Sequence, residues 1–297
     1  MKNVLNSPRF QKIKKERNKI LRKKIFFLLF LLVLILVGLS FLSKWDKLNI
    51  NNIEITGNKV IETKMIEDVV KEKIAGNYLY FFPKTNFLLY PKGEIIKELT
   101  NKFTRLKNIS LSIKNFQTLD ISVAERMTLY TYCGDAPAEA DLSISSDNTV
   151  PTQKCYFLDQ DGYIFDEAPY FSGEVYLKFY GTVNNGDPLN IPSGSYFYQS
   201  IFSKLISFKD TLEKIGVKPA AFYVQDNGDI EVYLSSSVKS QLGPKIILKT
   251  DSDFDQVAEN LQSVLTTEPF QSDFKNKYSS LLYIDLRFGN KVYYKFK

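Results

Sequence analysis

The chain has 297 residues, with 39 Lys or Arg against 33 Asp or Glu for a net charge of +6, 18 Tyr, 23 Phe, two Cys and no His. Without histidine there is no Ser-His-Asp or Cys-His arrangement, no imidazole base and no His-containing zinc site, and two cysteines cannot make a four-thiolate metal site. Residues 1–24 hold ten Lys or Arg against the single acid Glu16, so the remainder of the chain is net −3 and carries no basic face for nucleic acid.

Ile25 to Leu42 is an uninterrupted apolar run apart from Gly38 and Ser40. As a helix it is about 27 Å long, close to the hydrocarbon thickness of a bilayer, and it satisfies its own backbone hydrogen bonds. No second run of this kind follows. Basic residues stay in the cytoplasm, which predicts a cytoplasmic tail (1–24), one transmembrane helix (25–42) and an extracytoplasmic remainder. A cleaved signal peptide ending at Gly38-Leu39-Ser40 is the alternative, but the long tail and long apolar core favour an uncleaved anchor in the cell membrane. The exported part, about 255 residues, is long enough for two domains.

Trp45 stands where an interfacial aromatic would sit. Ile50 to Thr56 alternates and reads as a strand, followed by the turn signal Gly57-Asn58. Thr63 is a candidate N-cap for a helix carrying Met65, Ile66, Val69, Val70 and Ile74. Tyr78 to Tyr90 is aromatic and apolar with Pro83 in its middle, an ordered connection that packs on the domain. Pro91 opens a second helix with Ile95, Ile96, Leu99 and Phe103 on its apolar face. Two strands close the unit, with Ile109, Leu111 and Ile113 in one and Leu119, Ile121 and Val123 in the other. The order over residues 50–125 is β-α-α-β-β, an α+β domain.

A second section, residues 126–297, opens with a strand-like stretch from Met127 to Cys133. Residues 134–154 lack periodicity and read as a mobile insertion. Cys155 to Asp159 is again a strand, and Gln160-Asp161-Gly162-Tyr163 is a hairpin turn. If these strands pair, Cys133 and Cys155 lie opposite each other, which makes them a candidate disulfide contributing roughly 3 kcal/mol in the chain-entropy picture. Further strands are expected at Glu174–Tyr180, Ala221–Gln225, Ile230–Leu234 and Lys245–Thr250, with a second hairpin turn at Asn227-Gly228. Two helices are expected, from Tyr196 to Ile215 and from Asp253 to Leu265, the latter with a capping-box pattern in Asp253 and Gln256. A last pair of strands is separated by Gly289-Asn290.

Little in the chain points to catalysis. Asp159-Gln-Asp161-Gly162 begins like a calcium loop, but Tyr163 and Tyr170 occupy the fifth and twelfth places, where ligands are needed. Asp159 and Asp161 read as solvated turn carboxylates rather than an acid/base pair. No Walker-type or dinucleotide glycine loop is present. These features predict no catalytic residue, no cofactor, no metal and no small-molecule substrate. The C-terminal strands carry two readings. Lys291, Lys295 and Lys297 can simply guard a sheet edge against aggregation. Alternatively the edge accepts a strand from a partner, with Tyr293 and Tyr294 supplying specificity.

Four motifs bear on that choice. Ile53-Glu-Ile-Thr-Gly-Asn58, Leu119-Asp-Ile-Ser-Val-Ala-Glu-Arg126, Phe157-Leu-Asp-Gln-Asp-Gly-Tyr-Ile-Phe165 and Tyr283-Ile-Asp-Leu-Arg-Phe288 follow one apolar span in that order. The arrangement resembles the FtsQ/DivIB family of bacterial cell-division proteins, with the motifs V-x-G-N, L-x-I-x-V-x-E-R, L-V-D-x-x-G-x-V-F and Y-V-D-L-R-Y. The resemblance implies a POTRA domain at 50–125 and a β domain at 126–297. It further implies a non-enzymatic scaffold enriched at the division site. Its last edge strand would receive a strand from an FtsB- or DivIC-like partner, alongside an FtsL-like one. The contact residues would be Arg287, Phe288, Asn290, Tyr293 and Tyr294, with Phe288 replacing the family's Tyr. The insertion, the two cysteines and the Tyr78–Tyr90 stretch are not general features of that family. The alternatives are a POTRA-bearing secretion or outer-membrane assembly factor, and an exported carboxylate-based cell-wall enzyme.

Overall fold

A computed structural model describes residues 8–137, 154–169, 171, 174–183, 193–236 and 243–297. The first seven residues of the basic tail, Tyr170 and most of the 134–154 insertion lie outside these. The protein is α+β, and it divides between Glu125 and Arg126 into two compact units.

The first unit begins with helix α1 (Pro8–Ser43). Within it Lys14–Ser43 is long and apolar enough to cross a membrane, with a mean hydropathy of 3.2 over its best window. The helix end is closed by side chains. Asn49 Nδ2 donates to the carbonyls of Ser43 (3.1 Å) and Trp45 (2.8 Å), and Asn86 Nδ2 donates to Ser43 (3.2 Å), which satisfies carbonyls that a helix terminus leaves open.

Strand β1 (Asn52–Thr56), helix α2 (Thr63–Ile74), a small hairpin of β2 (Asn77–Tyr78) and β3 (Phe82–Pro83), helix α3 (Lys92–Lys102), β4 (Leu106–Lys114) and β5 (Thr118–Glu125) follow. The ordered connection expected at Tyr78–Tyr90 thus begins with a short antiparallel hairpin, whose two-residue strands are too short for alternation to mark. The sheet order is β1-β5-β4, with β1 parallel to β5 and β5 antiparallel to β4. Ile66, Val69, Val70 and Ile74 of α2 and Ile95 and Leu99 of α3 bury their faces against Leu111, Leu119, Ile121 and Val123 of the sheet. Helical and strand periodicities each place these positions on one side of their element.

Two local details differ from expectation. Glu62, not Thr63, occupies the N-cap of α2. Thr63 Oγ1 instead accepts from Asn58 Nδ2 (3.0 Å), which also bonds the Ile61 carbonyl and so shapes the turn. Gly57 has φ +92°, and a Cβ there would come within 1.9 Å of the Val123 carbonyl oxygen, so both conformation and space require glycine.

Glu125 closes the same turn. Its Oε1 accepts from the backbone N–H groups of Lys59 (2.7 Å), Val60 (3.0 Å) and Ile61 (3.0 Å). Partial burial pushes its carboxyl up, but the three N–H donors outweigh that and hold it below the ordinary value of 4.5. A folded-state pKa below the unfolded one gives stability that is present above the unfolded value and lost as pH falls through the folded value. The first unit is therefore expected to lose stability below about pH 4.5. Glu125→Gln should flatten that acid limb and cost about 1 kcal/mol at neutral pH, measured by thermal unfolding across a pH series.

The second unit is built on one nine-stranded mixed sheet, in the order β14-β13-β12-β11-β10-β9-β6-β7-β8. Its strands are β6 (Tyr130–Tyr132), β7 (Cys155–Leu158), β8 (Ile164–Ala168), β9 (Lys178–Tyr180), β10 (Pro219–Val224), β11 (Asp229–Leu234), β12 (Lys245–Lys249), β13 (Leu281–Phe288) and β14 (Lys291–Phe296). Among the described residues three α-helices rather than two accompany it: α4 (Phe202–Lys214), α5 (Phe254–Leu265) and α6 (Phe270–Asn276). Phe202, Leu205, Phe208 and Leu212 of α4 and Phe254, Val257, Ala258 and Leu261 of α5 pack on strand residues such as Phe222, Val232, Ile246 and Ile284.

Several boundaries shift for tertiary reasons. Residues 196–201 are not helical. Tyr196 bridges Tyr163, Phe197 N–H donates to the Gly162 carbonyl, and Phe197 is fully buried, so this segment serves the hairpin and core instead of α4. The strand expected from Glu174 is confined to Lys178–Tyr180, the three residues flanked by β6 and β10. Met127 to Leu129 likewise precede β6 without joining it. Asp253 caps α5 by accepting from Asp255 N–H (3.1 Å) and Gln256 N–H (3.3 Å). Gln256 donates onward to Asn260 Oδ1 (3.2 Å), so the capping-box pattern is only half realised.

β6 and β7 pair antiparallel with Tyr132 opposite Tyr156, and Cys133 and Cys155 are joined by a disulfide next to Tyr180 and Ala221. Asp159 departs from the expectation of a solvated turn carboxylate, because it is 2% exposed. Its Oδ2 accepts from Arg126 Nη1 (2.5 Å), and its Oδ1 accepts from the N–H groups of Asp161 (2.9 Å) and Tyr163 (3.0 Å). The Arg126 guanidinium lies 3.7 Å from the centre of the Tyr163 ring, so the cation stacks on the ring while it holds the carboxylate. Asp161 is exposed.

Candidate partner-binding edge

Among the described residues β14 pairs only with β13, so its outer side is a free edge of the nine-stranded sheet. Phe288 opposite Lys291 is the last pair of this hairpin, closed by Gly289 (φ +63°) and Asn290. Asn260 Nδ2 of α5 donates to the Gly289 carbonyl (3.0 Å), which ties the hairpin tip to the body of the unit.

Alternation along β14 gives its two faces different work. Val292 and Phe296 pack against the core, while Tyr294, on the same side of the strand, stays 40% exposed with its ring 4.5 Å from that of Phe270 on α6. Lys291, Tyr293 and Lys295 point the other way and are exposed. Phe288 (55% exposed) and Tyr293 (50%) meet edge to face at 5.3 Å, forming an aromatic pair open to solvent beside the free strand edge.

Arg287 is engaged inside the unit. Its Nε and Nη2 grip Asp285 (2.9 and 2.6 Å), and its Nη1 reaches Asp229 on β11 (2.6 Å), bridging over β12. The hydrogen bonds to Asp285 raise the guanidinium above its ordinary value against opposing burial. Burial pushes the Asp285 carboxyl up, and the Arg287 donors more than reverse this and hold it low. Arg287 is therefore a brace between strands, with its side chain 28% exposed.

Of the five sequence-designated residues, Phe288, Asn290, Tyr293 and Tyr294 all lie exposed on this hairpin, while Arg287 is mostly committed to Asp285 and Asp229. Sequence reasoning missed Phe270, which supports Tyr294 and Phe296 from beneath. The signal was the pair Phe270 and Phe274 at helical spacing, in a helix of only seven residues. Among the described residues no group of three or more His, Cys, Asp or Glu is placed to hold a metal ion. No family model and no curated protein matches the chain.

Proposed function

We propose that the protein is a membrane-anchored, non-enzymatic scaffold of the FtsQ/DivIB type. In this reading residues 50–125 are the POTRA domain, and β14 accepts a strand from an FtsB- or DivIC-like single-span partner, with an FtsL-like protein in the same assembly. The protein would thereby help to regulate septal peptidoglycan synthesis from the cell membrane. The observation that carries the reading is the free β14 edge with the exposed Phe288–Tyr293 pair beside it. Backbone groups along such an edge supply affinity, and flanking aromatics supply specificity. The order of elements in the first unit and the basic tail ahead of a single apolar helix support the same assignment.

The test is capture of the organism's own small single-span coiled-coil division proteins by the full chain in detergent micelles. Phe288→Ala combined with Tyr293→Ala is expected to weaken capture by at least about 2 kcal/mol, roughly 30-fold, with an unchanged circular dichroism spectrum. Undiminished capture by that variant, or none by the parent, would remove the edge from the mechanism. Arg287→Ala is a poorer probe, since it also breaks the bridge to Asp229 and Asp285.

A further inference from the structure

The β2–β3 hairpin of the first unit has no part in the β14 edge. Its tip is Leu79, Tyr80 and Phe81, which are 80%, 90% and 59% exposed. Leu79 and Tyr80 have φ of +47° and +66°, a region where water-facing turns ordinarily place Gly or Asn. Here the strained tip presents large apolar side chains outward.

The height of this tip relative to the apolar helix is set by hydrogen bonds. Ser40 Oγ donates to the Phe81 carbonyl (3.0 Å), and Ser40 precedes the helix end at Ser43 by three residues, about 4.5 Å of rise. Phe81 therefore lies level with the last apolar turn of α1, where Leu39, Phe41 and Leu42 are exposed. A second contact places the following turn at the same end, because Asn86 bonds the Ser43 carbonyl and its Oδ1 accepts from the N–H of Leu88, which is 75% exposed. Basic groups sit on aromatic rings just outside: Lys84 Nζ is 5.4 Å from the centre of the Tyr78 ring, and Lys47 Nζ is 6.0 Å from that of Trp45. Aromatic and Lys side chains at the end of an apolar helix match the headgroup layer of a bilayer, where the rings bury and the ammonium groups meet phosphate.

We infer that the Leu79–Phe81 tip enters the headgroup–acyl boundary of the leaflet from which α1 emerges. The first unit then holds the bilayer at two points, the helix and the hairpin, so its height and tilt above the membrane are fixed. The inference rests on α1 being a membrane span, and it commits to phospholipid as the occupant of the exposed tip. It is continuous with the lipid-facing surface of the helix itself, to which the hairpin is hydrogen-bonded.

Trp45 is the single tryptophan of the chain, which makes depth measurable by fluorescence. The full chain would be placed in phosphatidylcholine–phosphatidylglycerol vesicles with and without lipid brominated near the headgroup end of its acyl chains. Quenching of Trp45 in the parent reports that the helix exit is in the membrane. In a Trp45→Phe background, Tyr80→Trp and, separately, Leu79→Trp should lose roughly half their emission in brominated lipid. Both should emit to the blue of a Val60→Trp control, whose position lies beyond the far end of β1 and is 65% exposed. Quenched Trp45 with unquenched, red-shifted indoles at both positions 79 and 80 overturns the hairpin insertion and leaves the span intact. Unquenched Trp45 with the protein in the aqueous fraction overturns the span, and the insertion with it.

Discussion

Phe179→Ala is expected to lower the stability of the second unit by about 3–5 kcal/mol, a large share of the 5–15 kcal/mol that holds a typical domain together. Phe179 is fully buried on β9, the short strand between β6 and β10. Its ring stacks on Phe222 at 5.5 Å and contacts Phe197 at 5.4 Å, Phe202 at 5.2 Å and Tyr130 at 5.7 Å. Truncation would remove the transfer free energy of the ring and leave a cavity lined by four other aromatics, which cannot collapse without leaving their own packing. Because β9 joins the β6–β7–β8 and β10–β14 halves of the sheet, the loss should appear as one cooperative shift of the second unit, read by near-ultraviolet circular dichroism during thermal unfolding. Phe179→Leu should recover more than half of it. A loss below about 1 kcal/mol for the alanine variant would mean that β9 is not the centre of this core.

The second large effect is expected at Asp159. Asp159→Ala removes the carboxylate from beneath a guanidinium whose side chain is only 11% exposed, and it strips the acceptor from two turn N–H groups. Deleting one partner of a buried pair typically costs about 3–5 kcal/mol, because the remaining charge keeps its desolvation penalty. Asp159→Asn separates the two roles, since an amide oxygen can still accept from Asp161 and Tyr163 while the charge is lost. It should fall between parent and alanine variant. A double-mutant cycle with Arg126→Met measures the coupling, which should exceed about 1 kcal/mol for residues in direct contact. Additive effects would show that Asp159 serves the turn alone.

The same two residues show how far sequence reading reached. The hairpin turn at Gly162 is a local signal, since a glycine at positive φ between two strand-like runs has few other readings. That Asp159 is buried depends on Arg126, 33 positions away, which bonds it directly and stacks on the Tyr163 ring. Arg287 repeats the lesson at greater range, with one acceptor two residues away and another, Asp229, at a separation of 58. The family resemblance implies an outward contact for it, while folding brings β11 and β13 to either side of β12 and the guanidinium bonds Asp229 and Asp285. The start of α4 failed for a related reason. Residues 196–201 continue an apolar pattern, but Phe197 is needed in the aromatic core and Tyr196 in a bridge to Tyr163.

By itself the sequence determined the apolar α1 helix, the amphipathic stripes of α2, α3, α4 and α5, and most of the strands, because a periodicity of 3.6 or 2 is a property of neighbouring residues. It also determined the turns at Gly57, Gly162, Gly228 and Gly289, where positive φ favours glycine. The tertiary structure decided the rest: the parallel pairing of β1 with β5, the confinement of β9 to three residues, the free edge at β14 and the level of the Leu79–Phe81 tip against Ser40. Each of these arises when segments far apart in the chain compete for the same hydrogen-bonding partners and the same buried volume, a competition that no local pattern records.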